Sequence, residues 1–261
     1  MCGSLPRLGL VLALVGCDAS PRVVGLTPHA EKVPANTLRW RLRFSEPMRR
    51  GFARRFVSLE TSDGGRLNAL YLGAQELWDP TGQVLTLYLH PGRLKTGLRL
   101  RSVEGPPFEV DGHYRLVVRP GWPTARGPRL AQLFSHPFEV IRAERRAVNP
   151  RAWRVELTRE HLTVSFPRLM DPASVAASLR LESSQGGSPR LVEVGTESCR
   201  FELGGAPHDA VRLVVLPNLE DIAGNRIQAS FERPVGPAKS NHTMVQGHMR
   251  PPRYPRGHET K

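Results

Sequence analysis

Hydrophobic and polar residues alternate in short runs along most of this chain. From Thr37 to Phe44, "TLRWRLRF" places Leu38, Trp40, Leu42 and Phe44 on one face and Arg39, Arg41 and Arg43 on the other. A period of two belongs to a strand with one side against a core. "HLTVSF" repeats the pattern with Leu162, Val164 and Phe166. "VLTLYL" from Val84, "YRLVV" from Tyr114 and "VRLVV" from Val211 predict further strands. No long stretch carries an apolar stripe at helical spacing. The Gly-Gly pairs at 64–65 and 186–187 supply the positive φ of tight hairpins. Short strands with such punctuation predict an all-β chain built of sandwiches.

The pattern also recurs over a longer distance. "RFSEPM" from Arg43 and "SFPRLM" from Ser165 share Phe and Met when Phe44 is set on Phe166, an offset of 122. At the same offset "VSLETSDGG" from Val57 meets "LRLESSQGG" from Leu179. Further on the offset is 97: "YRLVVRP" from Tyr114 meets "VRLVVLP" from Val211, and Phe134 meets Phe231. The first copy therefore holds 25 additional residues (122 minus 97). This spacing is too long for a solenoid repeat and close to the size of one domain. The chain divides into a first sandwich over 22–142 with an extra hairpin segment near 76–98, and a second over 148–234. A polar, basic, Pro-rich tail at 235–261 has the composition of a disordered segment.

"RFSEPM", with "LEDIAGNRI" near the end of the second copy, resembles the bacterial Ig-like domains of the S-layer type (SbsA-like). Their pattern is a strand ending in F-S-x-P-M or F-x-x-x-M-D, and later a D-x-x-G-N turn. The second copy has both, in Phe166, Met170 and Asp171 and then in Asp221, Gly224 and Asn225. The first has "TARGPRL" at the later position and keeps only Gly127 of the turn. The resemblance spans about residues 23–233. It implies two tandem Ig-like β-sandwich domains. Such domains serve as spacers, adhesive modules and enzyme appendages, so it names no activity.

The first residues are not part of that fold. Arg7 precedes an apolar run from Leu8 to Val15, too short to span a bilayer but suited to a secretory leader. "LVGC", Leu14 to Cys17, resembles the lipobox of bacterial lipoproteins. The resemblance implies a signal peptide over 1–16, a diacylglycerol thioether on Cys17, and a cell-envelope location anchored in a membrane by lipid. Cys2 would leave with the leader, so Cys199 has no partner for a disulfide. The alternation of "CRFEL" makes Cys199 a small buried hydrophobe.

Composition changes this picture little. The net charge is +13, or about +12 after removal of Arg7, which could attract nucleic acid, anionic lipid or acidic polysaccharide. Yet 33 of the 37 basic residues are Arg and 4 are Lys, a skew that GC-rich coding produces without a ligand. No nucleic-acid partner is expected. Hydrolase, zincin and Walker A patterns are absent from the sequence, His residues are scattered, and no cofactor or metal is expected. Asp221 and Asn225 lack the alternate oxygen ligands of a calcium loop, and suit a turn with Gly224 at positive φ. The extra segment offers Trp78, His90, Arg93 and Lys95 as candidate anion or glycan contacts, and the first strand offers Arg39, Arg41 and Arg43. The alternative for the segment is a hairpin, with "DPTG" (79–82) as its turn, that packs on the sandwich. These observations point to a non-enzymatic envelope lipoprotein acting as a spacer or interaction module with another envelope protein. The alternative is a polysaccharide-binding or adhesive surface protein.

Overall fold

The computed structural model describes residues 20–72 and 75–231. The leader over 1–16, the lipidation candidate Cys17 and the tail over 235–261 lie outside the described residues.

The N-terminal half is a sandwich of two five-stranded sheets. One holds β1 (Val23–Thr27), β3 (Arg39–Phe44), β8 (Val84–Leu89) and β6 (Leu70–Tyr71) in that order, with β7 (Leu77–Trp78) also paired to β8. The other runs β2 (Lys32–Pro34), β10 (Phe134–Ile141), β9 (His113–Val118), β4 (Val57–Thr61) and β5 (Arg66–Leu67). All these pairings are antiparallel except that of β2 with β10. This strand order is that of an immunoglobulin-type sandwich, whose first strand divides between the sheets. The alternation seen in the sequence fills the space between them. Trp40, Leu42, Phe44, Leu85, Leu87 and Leu89 come from one sheet, and Val57, Leu59, Leu116, Val118, Phe138 and Val140 from the other.

The C-terminal half repeats the plan on a smaller scale. Its larger sheet is β11 (Arg154–Leu157), β12 (His161–Ser165), β15 (Ser198–Glu202) and β14 (Arg190–Val194). Facing it are β13 (Leu179–Ser183) and β16 (Val211–Val215). Leu162, Val164, Phe166, Leu179, Leu181, Cys199 and Phe201 form a separate core. Counterparts of β10 would be residues 231–238 (134 and 141 plus 97), of which all but Phe231 lie outside the described residues.

Strand register agrees with the duplication. Leu59 faces Leu116 in β4/β9, and Leu181 faces Leu213 in β13/β16, displaced by 122 and 97. Short helices precede each of these strands: α1 (Ala53–Phe56) and α4 (Pro172–Ser178). The additional residues of the first copy, however, do not form one appended hairpin. Trp40 faces Leu87 and its counterpart Leu162 faces Phe201, so β8 and β15 stand 114 apart (201 minus 87). The surplus thus splits into 8 residues before β8 (122 minus 114) and 17 after it (114 minus 97). The later insertion carries α2 (Pro91–Leu94) and α3 (Arg99–Glu104). The β7/β8 hairpin exists, turning at 79–82, but β8 is an interior strand between β3 and β6. "VLTLYL" has every second residue buried because it belongs to the sheet itself.

Candidate functional site: the junction between the sandwiches

The outward face of β3 is covered where it was expected to be open. Alternation sends Arg39 and Arg41 to the face opposite Trp40 and Leu42, and the second sandwich meets them there. Arg39 donates from Nε to Asp171 Oδ2 at 2.6 Å and from Nη2 to Glu220 Oε2 at 2.7 Å. Arg41 Nη1 reaches Asp171 Oδ1 at 2.8 Å and Oδ2 at 2.9 Å. Arg226 closes the chain on Glu220, with Nε to Oε1 at 2.8 Å. Side-chain exposure is 2% for Asp171, 11% for Arg39 and 13% for Glu220, so these charges lie largely out of water.

Such burial is tolerable only when each charge has partners. Burial works against the ionised form of Asp171, but Arg39 and Arg41 outweigh it and hold its pKa below the usual carboxylate value. Burial likewise opposes the charge on Arg39, and Asp171 and Glu220 more than offset it, so its pKa is raised. Asp171 has a second task. As N-cap of α4 it accepts from the backbone N–H groups of Ala173 and Ser174. The sequence places it there because Asp before Pro is a strong helix start.

Beside the ion pairs, two buried asparagines hold the connecting segment. Asn36, from the first sandwich, donates through Nδ2 to the Glu144 carbonyl at 2.7 Å and accepts the Glu144 N–H at 2.9 Å. Asn225, from the second, donates to the same carbonyl at 2.9 Å. Arg168 binds the Arg146 carbonyl at 2.7 Å and Asp221 at 3.2 Å. A backbone bond from Leu38 N–H to the Ile222 carbonyl, 2.8 Å, joins the halves directly. Gly224 sits at φ +79°, and a Cβ there would stand 2.8 Å from Leu38 Cδ2. Glycine thus serves both the turn and the close approach of the two sandwiches.

Asp221 organises that turn. Its Oδ1 accepts from the N–H groups of Ala223 and Asn225, and its Oδ2 from Asn225 Nδ2. Burial pushes its pKa up, against the opposing pull of Asn225 and Arg168. In the first copy Thr124 takes the equivalent place (221 minus 97), bridging Met48 as Asp221 bridges Met170. The buried Thr124 hydroxyl has no hydrogen-bond partner among the described residues.

The junction draws on one pole of each copy, and the poles differ. Asp171 and Glu220 correspond in the first copy to Arg49 and Pro123, while Arg39 and Arg41 correspond in the second to His161 and Thr163. The acids and the guanidiniums are therefore complementary only in this arrangement.

The remaining sequence-derived candidates make no hydrogen bond or ion pair with these residues among the described residues. Arg43 is exposed and forms no ion pair among the described residues. Trp78 packs its ring 5.8 Å from both Phe44 and Trp122 and donates from Nε1 to Glu76 at 2.7 Å. Arg93 donates to the carbonyls of Asn68, Glu104, Gly105 and Pro106, tying the α2–α3 insertion to β6's approach. The His90 Nδ1 caps α2 by accepting from Gly92 N–H at 3.2 Å. Lys95 Nζ lies 4.8 Å from the ring centroid of Phe231, so it also borders the junction. An outward array of Arg39, Arg41 and Arg43 is thus corrected: two of the three are bound to carboxylates of the other sandwich. What sequence reasoning missed was the acidic side. Asp171 carried the signal of a helix cap, and nothing in local sequence linked it to a strand about 130 residues earlier.

No family model matches the chain, and no curated protein matches it. Among solved structures, the chain is similar to native alpha-2-macroglobulin from Escherichia coli, in a structure spanning domains MG0-NIE-MG1. Identity is 12% over 77% of this chain and 61% of that chain, with a TM-score of 0.30. The match thus spans less than two thirds of that chain. Among the described residues no helix is long and apolar enough to cross a membrane.

Proposed function

We propose that this chain is a non-enzymatic lipoprotein of the bacterial cell envelope, in which two Ig-like sandwiches joined as one stiff body act as a spacer or interaction module. The observation that carries the spacer reading is the junction. Two carboxylates, three arginines and two asparagines, contributed from both halves, fix the connecting segment and the facing poles. Relative motion is the default for two domains of one chain, and the buried ion pairs and asparagines that bridge these two oppose it. The lipobox-like "LVGC" and the S-layer-type motifs support the envelope location and the family resemblance. Arg39 and Arg41 already bind carboxylates, which favours the spacer over a glycan site on β3.

Labelled palmitate and membrane fractionation test the anchor. Wild type should take up label and sediment with membranes. Cys17→Ser should take up no label and should keep its leader uncleaved, since both steps need the thiol of Cys17. Equal labelling of both proteins would overturn the lipoprotein reading.

A further inference from the structure

The first sandwich has a second pole, opposite the junction, and it is basic. Three segments are hydrogen-bonded together there. Ser45 N–H donates to the Arg22 carbonyl at 2.9 Å, Arg49 N–H to that of Pro123 at 3.0 Å, Ala125 N–H to that of Pro47 at 2.9 Å, and Ala131 N–H to that of Pro21 at 3.3 Å. These segments, 21–22, 45–50 and 121–131, carry Arg22, Arg49, Arg50, Arg126 and Arg129, all exposed, against one acid, Glu46. Arg49, Arg50 and Arg126 form no ion pair and no side-chain hydrogen bond among the described residues. Neighbouring acids are engaged: Glu76 accepts from the N–H groups of Gly51 and Ala53, and Asp79 from those of Gln83 and Val84. Leu133, 61% exposed, stands two residues beyond Ala131. By the offsets of 122 and 97, Arg49 corresponds to Asp171, Arg50 to Pro172 and Arg126 to Ala223. The equivalent pole of the second sandwich is thus the acidic side of the junction and is covered by the first sandwich, whereas the basic pole meets no second sandwich.

The chain enters the fold at this pole. Pro21 and Arg22 are bound to it, and Cys17 precedes Ser20 by three residues, which span at most about 11 Å. A lipid on Cys17 therefore holds the pole at a distance from the head groups comparable with the Debye length, about 8 Å at physiological salt. We propose that this arginine pole docks on an anionic phospholipid surface, so that the pair of sandwiches stands end-on with the second one outermost. Arginines at such a surface are attracted to lipid phosphates, and the point of chain entry and the exposed Leu133 favour a bilayer over an acidic polysaccharide. The docking rests on the proposed lipid at Cys17 for the position of the membrane, but the arginines act without the lipid, so the two are tested apart.

Sedimentation with vesicles tests the docking on the leaderless chain 18–261, which contains every described residue and no lipid. The chain should bind vesicles of equal parts phosphatidylcholine and phosphatidylglycerol, bind phosphatidylcholine alone about tenfold or more weakly, and dissociate at molar salt. Arg49→Gln with Arg50→Gln and Arg126→Gln should weaken binding to the anionic vesicles about tenfold or more, since each arginine near such a surface contributes up to about fivefold. Arg151→Gln with Arg159→Gln and Arg180→Gln removes the same charge from exposed arginines of the second sandwich and should change binding by about twofold or less. The basic tail is common to both variants and cancels in the comparison. Thermal melts establish that both are folded. Should the first variant fail to fold, Arg50→Glu with Arg126→Glu takes its place, with a loss at least as large. Equal binding to the two kinds of vesicle, or equal losses in the two triple variants, would overturn the proposal. Complete displacement from the vesicles by alginate at the same concentration of charge would assign the pole to acidic polysaccharide and overturn it as well. Vesicle binding as expected, with equal fatty-acid labelling of wild type and Cys17→Ser, would remove the lipid anchor and uphold the docking pole.

Discussion

Replacing Asp171 by Asn removes the charge at the centre of the junction while keeping the shape of the side chain. The retained amide oxygen can still cap α4 at Ala173 and Ser174, so the change falls on the ion pairs with Arg39 and Arg41. Removing one partner of a buried pair costs about 3–5 kcal/mol, because the other charge stays behind. Here Arg39 keeps Glu220 at 2.7 Å, and Arg41 is 24% exposed and can be hydrated. Both facts place the expected loss at the low end, about 3 kcal/mol. For a unit of this size that lowers the melting temperature by roughly 6–12 °C. Asp171→Ala also deletes the cap and should lose about 1 kcal/mol more. Urea denaturation followed by intrinsic fluorescence measures both variants.

The pH dependence of the same pair supplies a sign. Asp171 has a folded pKa below its unfolded value, near about 3.9 for an unperturbed Asp. Its contribution is therefore complete above that unfolded value and is lost as pH falls through the lower, folded one. The stability gap between wild type and Asp171→Asn should be constant near neutrality and close in acid, below about pH 4. Asp221 is present in both proteins and cancels in the difference. A gap under about 1 kcal/mol at neutral pH, the scale of a surface pair, would refute the reasoning.

Asn225→Ala removes bonds to Asp221, to the Glu144 carbonyl and from Phe231 N–H, and should cost about 2–3 kcal/mol in the same denaturation assay. Thr124→Val should be neutral or stabilising by up to about 1 kcal/mol, because it deletes a buried hydroxyl without a partner; marked destabilisation would show that the hydroxyl is satisfied. Burial pushes the Cys199 thiol up to about 12, so the folded protein should not react there with a disulfide reagent at pH 8, and should react after denaturation.

Strand alternation made the sandwich legible because each strand has one wet face and one dry face. Leu38, Trp40, Leu42 and Phe44 are all buried on that account. The duplication was legible for the same reason, and the paired positions Leu59/Leu116 and Leu181/Leu213 show it in register. The junction was not, since alternation distinguishes core from non-core but cannot say what covers the other face. Arg39 and Arg41 obey the rule and are still removed from water by Asp171 and Glu220, far away in sequence. The position of the added residues was misjudged for a related reason. The alternation of "VLTLYL" after the "DPTG" turn is equally that of an added hairpin and of a strand of the sheet, and only its pairing with β3, matching that of β15 with β12, tells the two apart.

The central claim, that the two sandwiches move as one body, is tested most directly by residual dipolar couplings measured on the chain after Cys17 in a weakly aligning medium. Couplings from 23–141 and from 148–227 should fit one alignment tensor in the wild type, and should need two in Asp171→Asn combined with Asn225→Ala. Two different tensors in the wild type itself would contradict the account.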